Sequence, residues 1–274
     1  MTLRKWLRAA QARLSHLERF DLEHLLAVRL GVSRAHLLAH LDEALTEGQR
    51  GQLAQDIERL AAHTPLQYVL GEAWFADASF EVSADVLIPR FDTEYLVQAV
   101  LERVSAAEAA VLDLCTGSGC VAITLARARA NWLLAASDIS PEVLAVARKN
   151  GEKLCPGRVE WRQGDLFAPW QDCYFDAIVA NPPYISAEEY RTLAPEVQQE
   201  PALALLAAHD GLIFYERLAA EAAEHLAPGG WLAVEIGCSQ GEAVQRLFDK
   251  HDFKEVACLP DGQGLDRVVV GHLA

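Results

Sequence analysis

Apolar residues recur at three- and four-residue steps through the first sixty positions. Leu3, Trp6, Leu7, Ala10, Leu14 and Leu17 fall on one stripe; Leu22, Leu25, Leu26 and Leu30 fall on a second that ends at Gly31. Ser33 is placed to cap a third helix carrying Leu37, Leu38 and Leu41. Thr46 is placed to cap a fourth, through Leu53, Ile57 and Leu60. These stripes predict a small helical bundle whose members pack on one another. At Pro65 the texture changes. "PLQYVLGEAWFADASFEVSADVLIPR" is rich in aromatic and β-branched residues and alternates around Phe80 and Val82, which predicts a strand pair joining two domains. Pro89 closes that stretch, and "DTEYLVQAVLERV" returns to helical spacing.

From Val111 onward, predicted strands and helices alternate. "VLDLC", "WLLAASD", "VEWRQGD", "FDAIVAN" and "WLAVEIG" read as strands. "CVAITLARARA" and "SPEVLAVARKNGEKL" read as helices, the second capped by Ser140 with Pro141 in its first turn. "FYERLAAEAAEHLAPGG" reads as a helix stopped by Pro-Gly-Gly, and "FKEVACLPDGQGLDRVVVGHL" as two strands joined by a glycine-rich turn. The alternation predicts an α/β fold with a mainly parallel, doubly wound sheet. Residues 1–75 are assigned to the helical bundle, 76–95 to the linking hairpin and the start of the second domain, and 96–274 to the α/β domain. In such sheets ligands bind beyond the carboxyl ends of the strands. Asp113, Asp138, Asp165 and Asn181 all stand at or just past strand ends, so they are expected along one edge.

Charge narrows the partners. The net charge of the 274 residues is −15. Residues 1–75 hold nine Lys/Arg and nine Asp/Glu, so the whole excess lies in 76–274. An acidic domain is a poor match to a phosphate backbone, and no direct nucleic-acid partner is expected. The six cysteines form no C-x-x-C pair and read as reduced thiols. "MTLRKWLRAAQARL" has arginines among its apolar positions, unlike a signal peptide, and no run approaches the ~18 apolar residues of a membrane span. The expected location is cytoplasmic, with no membrane partner.

Two stretches carry candidate chemistry. "DLCTGSGC" sets Gly117 and Gly119 between a strand and a helix, where glycine lets the backbone turn sharply and approach a ligand. Asp138 ends the next strand, at the distance where an acid accepts hydrogen bonds from ribose hydroxyls. Gly117 to Ala122 also satisfies G-x-G-x-x-A, the nicotinamide dinucleotide pattern, so the loop alone does not choose between nucleoside cofactors. The second stretch is Asn181-Pro182-Pro183-Tyr184, directly after a predicted strand. Asn181 and Pro182 each precede a proline, which restricts both. Asn181 can present its side-chain oxygen and Pro182 its main-chain carbonyl, and neither proline has an N–H with which to continue a helix. Two fixed acceptors suit the two hydrogens of a planar –NH₂ group, and Tyr184 adds an aromatic face. Gripped so, the nitrogen can be aimed at the methyl of a sulfonium. An amide nitrogen is a weak nucleophile, so orientation would carry much of the rate, up to ~7–11 kcal/mol of the barrier.

The chain resembles the PrmC/HemK family, S-adenosylmethionine-dependent glutamine methyltransferases of peptide chain release factors. The resemblance rests on the helical N-terminal region, "PLQYVLG", "VLIPRFDTE", "DLCTGSGCVAI", "DISPEVLAVARKN", "GDLF", "NPPYI", "QEPALAL" and "DGQGLDRVV", and spans nearly the whole length. It implies a seven-stranded Rossmann-like class I methyltransferase sheet, with the helical domain helping to bind a protein substrate. It implies S-adenosylmethionine as cofactor, S-adenosylhomocysteine as product, and methylation of the glutamine side-chain amide in the Gly-Gly-Gln motif of release factors. Carried over, Cys115, Thr116, Gly117, Ser118 and Gly119 form the cofactor loop. Asp138 and Ile139 meet the ribose region, and Asp165 and Leu166 line the adenine. Asn181, Pro182, Pro183 and Tyr184 hold the glutamine; Asn181 and Pro182 are catalytic, and Asn181 also faces the cofactor. Leu166 departs from relatives that carry an aromatic there.

Three alternatives are a glutamine methyltransferase acting on a ribosomal protein, an adenine-N6 nucleic-acid methyltransferase, and a cofactor-binding module without activity. "IPRFDTE" argues against the first, the acidic charge against the second and the intact Asn-Pro-Pro-Tyr turn against the third. His36 and His40 lie one helical turn apart without a third donor in the sequence pattern, so no metal site is expected. Arg90 and Glu94 either close the cofactor site or pair with each other.

Overall fold

The computed structural model describes residues 1–274. The chain forms two compact units. One comprises residues 1–72 together with 194–199, and the other 73–193 together with 200–274. The helical unit contains α1 (Leu3–Arg13), α2 (Arg19–Leu30), α3 (Arg34–Ala39), α4 (Glu47–Ala61) and α5 (Leu66–Leu70). Its starts and stops follow the expected chemistry. Thr2, Ser33 and Thr46 cap α1, α3 and α4 through their hydroxyls, and Gly31 ends α2 in the left-handed region at φ 67°. Leu7, Leu14, Leu22, Leu25, Leu26, Leu37, Leu53 and Leu60 bury their side chains in one core. Arg29 braces the helices: its guanidinium grips buried Asp56 at 2.7 and 3.0 Å and donates to the Val69 carbonyl at 2.6 Å. A one-turn helix such as α5 has too few residues to show a period.

β1 (Glu72–Phe75) and β2 (Ala78–Glu81) make the two-stranded hairpin. It begins before residue 76, earlier than the sequence assignment placed it. The α/β unit continues with α6 (Thr93–Arg103), β3 (Ala110–Leu114), α7 (Cys120–Ala128), β4 (Leu133–Asp138), α8 (Pro141–Leu154), β5 (Val159–Gln163) and β6 (Phe175–Ala180). Then come α9 (Ala187–Tyr190), α10 (Ala202–Leu205), α11 (Ile213–Glu221), β7 (Leu226–Glu235), α12 (Gly241–Lys250), β8 (Lys254–Pro260) and β9 (Asp266–His272). The seven-stranded sheet has the order β5-β4-β3-β6-β7-β9-β8. All neighbours are parallel except β9, which runs antiparallel to β7 and β8. This is the mainly parallel, doubly wound α/β sheet that the alternation predicted, with the seven strands that the family resemblance implied.

Each face of the sheet is covered by helices. Val111, Leu134, Val179, Val268 and Val270 pack with Leu96 and Val100 of α6 and Ile123 and Leu125 of α7. Leu112, Ile178, Val234 and Val269 pack on the other side with Tyr215 and Leu218 of α11 and Val244 and Phe248 of α12. The strand order reverses between β3 and β6, and the crevice outside that switch point is where such sheets bind ligands.

One sequence expectation fails. Pro228-Gly229-Gly230 does not stop a helix, because α11 ends at Glu221 and the tripeptide lies within β7. Leu226 pairs with Phe175 and pairing resumes only at Trp231 opposite Ala177, so the intervening residues bulge out of the ladder. Gly229 takes φ 75°, and a Cβ on Gly230 would lie 2.8 Å from the Ala227 carbonyl. These residues satisfy a bulge as well as they would a helix stop.

Candidate active site

At the carboxyl edge of the sheet lies a cavity of about 400 Å³, within the usual range for small-ligand sites. Asp113, Asp138, Asp165 and Asn181 all line it, as the strand ends required. So do Cys115, Thr116, Gly117, Ser118, Ile139 and Leu166, whereas Gly119 is not part of the lining.

The loop after β3 is held from below by a buried acid. Asp113 Oδ2 accepts from Thr116 Oγ1 at 2.6 Å and from the Ala122 amide at 3.1 Å. Burial pushes its carboxyl up to about 7, against the two hydrogen bonds that favour the ionised form. Gly117 has φ 57° and a Cβ there would meet nothing within 4 Å, so its missing side chain leaves the cavity open. Gly119 is different: at φ 82° its Cβ would approach Ile123 and Trp161 at 3.0 Å. Cys115 and Leu166, both lining the cavity, take positive φ of 57° and 45° without being glycine. Asn150 of α8 braces the loop from behind. Its side chain exchanges hydrogen bonds with the Glu81 backbone at 2.7 and 3.0 Å and donates to the Ser118 carbonyl at 2.9 Å.

Asp138 is partly used by the protein itself. Oδ2 accepts from the Gly117 amide at 3.1 Å and Oδ1 from the Ser140 amide at 3.2 Å. Burial raises its carboxyl above the ordinary value and these backbone donors oppose the rise. Each oxygen keeps a lone pair for a ligand hydroxyl. Asp165 is engaged elsewhere: Arg217 grips both its oxygens at 3.0 Å, leaving the neighbouring buried Leu166 as the apolar wall. The thiol of Cys115 is raised by burial, and that of Cys120 is pushed up to about 12, so neither supplies a thiolate nucleophile.

The turn after β6 meets the same cavity through Asn181 and Pro183. Pro182 is buried, and Tyr184 packs into the apolar layer beneath, its carbonyl accepting from Gln240 Nε2 at 3.1 Å. The ring of Tyr184 is therefore not among the cavity-lining groups; burial raises its phenol. Asn181 Nδ2 donates to Thr93 Oγ1 at 3.2 Å. Ala180 stands opposite Val234, so Asn181 and Glu235 are neighbours at the ends of β6 and β7. Glu235 is 1 % exposed, and its Oε2 has no hydrogen-bond partner. Burial pushes its carboxyl up to about 7, while hydrogen bonding from Thr93, the charge of Arg267 and the Asn181 amide hold it down. With Nδ2 bonded to Thr93, the Asn181 amide has Oδ1 left to offer a ligand.

Several of these residues escape sequence reasoning. Thr93 lies within "PRFDTE" without a residue-level reason to single it out. Glu235, the only charged residue of "WLAVE", carries the one available signal, an acid closing an apolar strand. Arg90 does not pair with Glu94: it pairs with buried Glu200, whose Oε2 also accepts from the Ile88 amide at 3.0 Å. Glu94 instead accepts from the Ala76 amide at 3.0 Å.

Known proteins share this architecture. Residues 5–71 match the PrmC N-terminal domain, and residues 75–208 match the methyltransferase small domain. A release factor glutamine methyltransferase of Moorella thermoacetica is 42% identical over 99% of both chains. One of Geobacter sulfurreducens is 40% identical over 93% of this chain and 89% of its own. The crystal structure of a methyltransferase from Pyrococcus furiosus shares the fold, with TM-score 0.55 at 17% identity, covering 83% of this chain and 98% of that one. The chain belongs to the release factor glutamine methyltransferase family.

Proposed function

We propose that this protein transfers a methyl group from S-adenosylmethionine to the side-chain amide nitrogen of the glutamine in the Gly-Gly-Gln motif of a peptide chain release factor. The observation that carries the reading is Asn181: its Nδ2 is bonded to Thr93, and it lines the same cavity as the glycine loop and Asp138. The cavity suits the cofactor: its volume is adequate, Gly117 leaves open space, and Asp138 keeps acceptor capacity. When bound, S-adenosylmethionine supplies a methyl activated by its sulfonium.

The protein's residues do the rest by placement. Within the loop Cys115 to Gly119, Gly117 leaves room for the ligand, and Asp138 and Ile139 take the ribose region. Leu166 supplies an apolar wall for the adenine, with Asp165 fixed beside it by Arg217. Asn181 Oδ1 and the Pro182 carbonyl accept the two N–H groups of the glutamine amide and aim its nitrogen at the methyl. As the N–C bond would form and the methyl's bond to sulfur break, S-adenosylhomocysteine would be left behind and positive charge would build on nitrogen; both acceptors would stabilise the increasingly acidic N–H groups, and the surplus proton would pass to solvent. Pro183 and Tyr184 fix the shape of the turn, Pro183 from the cavity wall and Tyr184 from the layer beneath. Residues 1–75 help to hold the protein substrate, and 96–274 carry the methyltransferase chemistry. No helix is long and apolar enough to cross a membrane; a cytoplasmic site beside the translation machinery goes with this reading.

The test offers S-[methyl-³H]adenosylmethionine to purified protein with a release factor, a large-subunit ribosomal protein and DNA in separate reactions. Label on the release factor, lost when its Gly-Gly-Gln glutamine is replaced by alanine, is the expected result. Label on the ribosomal protein or DNA alone would overturn it.

A further inference from the structure

The helical unit contains a side-chain cluster that methyl transfer does not use. His16 lies between α1 and α2, His63 follows α4, and Glu196 belongs to the 194–199 segment that folds with this unit. His63 Nδ1 stands 2.6 Å from Glu196 Oε1, and His16 Nε2 stands 3.6 Å from the same oxygen. The imidazole rings are 4.9 Å apart between centroids, tilted by 40°. One donor atom from each residue falls within 4.8 Å of the others. Two imidazole nitrogens thus converge on a single carboxylate oxygen.

We propose that His16, His63 and Glu196 form a binding site for one divalent transition-metal ion of the zinc class. A cation at the common point would take a lone pair from each ring and the charge of the carboxylate, leaving any proton on the facing nitrogens to solvent. Two nitrogens and one oxygen suit zinc, whereas magnesium and calcium prefer oxygen-only sites. Tetrahedral zinc with ligand bonds near 2.0–2.1 Å sets its donors about 3.3 Å apart. The His16 distance is already close to that; the His63 contact needs to open by about 0.7 Å, and the donors, spread over as much as 4.8 Å, need to draw together as the rings turn toward the ion.

The backbone supports the same placement. His16 and His63 both come just past helix C-termini, after the cap residues Leu14 and Ala62, where the helix dipole favours positive charge. His63 is held at φ 61°, its amide bonded to the Leu60 carbonyl at 3.0 Å and the next amide to the Arg59 carbonyl at 3.0 Å. The position of its ring is therefore set by the end of α4. The side chains are 30%, 42% and 28% exposed for His16, His63 and Glu196, which lets an ion enter and leaves a coordination position for water. An ion here would clip the 194–199 segment to the helical unit. His36 and His40 make the contrast: their rings stack at 4.1 Å, His40 Nδ1 is bonded to the His36 carbonyl, and no third donor joins them.

The test uses metal-stripped full-length protein carrying Cys238→Ser, since Cys238 is an exposed free thiol that could itself take zinc. Zinc chloride is titrated calorimetrically into this protein and into His16→Ala, His63→Ala and Glu196→Gln versions of it, with magnesium chloride in parallel. The expected result is one zinc ion per chain and no magnesium binding. Each substitution should weaken zinc by at least the roughly 10–100-fold typical of losing even an outer-shell partner, with the circular dichroism spectrum unchanged. Cobalt bound to the unsubstituted cluster should give visible d–d bands without a thiolate charge-transfer band, a readout that does not depend on any variant folding. Absence of zinc binding, binding that survives all three substitutions, or a thiolate band with cobalt would overturn the proposal.

Discussion

Two segments leave the same edge of the sheet and line the same cavity, yet they are held in opposite ways. The loop Cys115–Gly119 is fixed by donors: the Thr116 hydroxyl and the Ala122 and Gly117 amides all point into the carboxylates of Asp113 and Asp138. The turn Asn181–Tyr184 is fixed by the lack of donors. Its two prolines contribute no N–H, and its amide side chain is held from outside by Thr93. A loop rich in inward N–H groups is a stiff frame for a ligand that needs room and hydroxyl acceptors. A turn stripped of N–H groups keeps its oxygens for a ligand that brings its own hydrogens. The two segments should therefore respond to mutation in different constants.

The largest effect is expected in the turn. Asn181→Ala should lower kcat by about 10²–10³-fold, the range for deleting one transition-state hydrogen bond, while cofactor affinity changes little. Steady-state kinetics with a saturating release factor and direct cofactor titration separate the two, and near-normal turnover would remove Asn181 from the chemistry. In the loop the order reverses. Asp138→Ala should weaken cofactor binding by roughly 10–100-fold, matching ~1.5–3 kcal/mol for a hydrogen bond to a charged group, with a smaller change in kcat at saturating cofactor. An unchanged dissociation constant would contradict the ribose assignment.

Glu235 sharpens the contrast through pH. Its folded-state carboxyl titrates at about 7 against an ordinary 4.5, so the native state holds the proton over a window in which the unfolded chain has released it. Stability conferred by the protonated form is present below that window and lost as pH rises from about 4.5 to 7. Glu235→Gln removes this dependence. Denaturant titrations should find the variant gaining on the wild type between pH 5 and 8, by up to ~3 kcal/mol, because each pH unit separating the folded and unfolded titrations is worth ~1.4 kcal/mol. A constant difference across that range would show that burial does not govern this carboxyl. The smallest effect is expected at Cys115. With its thiol kept protonated, Cys115→Ser should change kcat by less than about threefold, whereas a nucleophilic role in covalent catalysis would abolish turnover.

Legibility in the sequence follows locality. The stripes of α1, α2 and α4 and the caps Ser33, Thr46 and Ser140 are written within a few residues, and the structure repeats them. The alternation of strand and helix settles the sheet. α12 is left unassigned although Val244, Leu247 and Phe248 stand at helical spacing; its start is hidden because Gln240 provides no side-chain cap. Pro228-Gly229-Gly230 misleads because a bulge and a helix stop draw on the same residues. The glycine loop and the turn are each continuous and stand out. Their supports do not: Arg90 finds Glu200, Asn181 finds Thr93, and His16 meets His63 and Glu196 across distances in the chain that no spacing rule covers. The Tyr184 carbonyl likewise finds Gln240, more than fifty residues away.

The central claim is that a rigid turn grips a primary amide by both hydrogens beside the methyl donor. A crystal structure of the protein with S-adenosylhomocysteine and a glutamine-containing Gly-Gly-Gln peptide tests it directly. The amide nitrogen is predicted to lie within about 3.2 Å of both Asn181 Oδ1 and the Pro182 carbonyl oxygen, on a line with the cofactor sulfur. An amide nitrogen bound away from either oxygen, or turned from the sulfur, would contradict it.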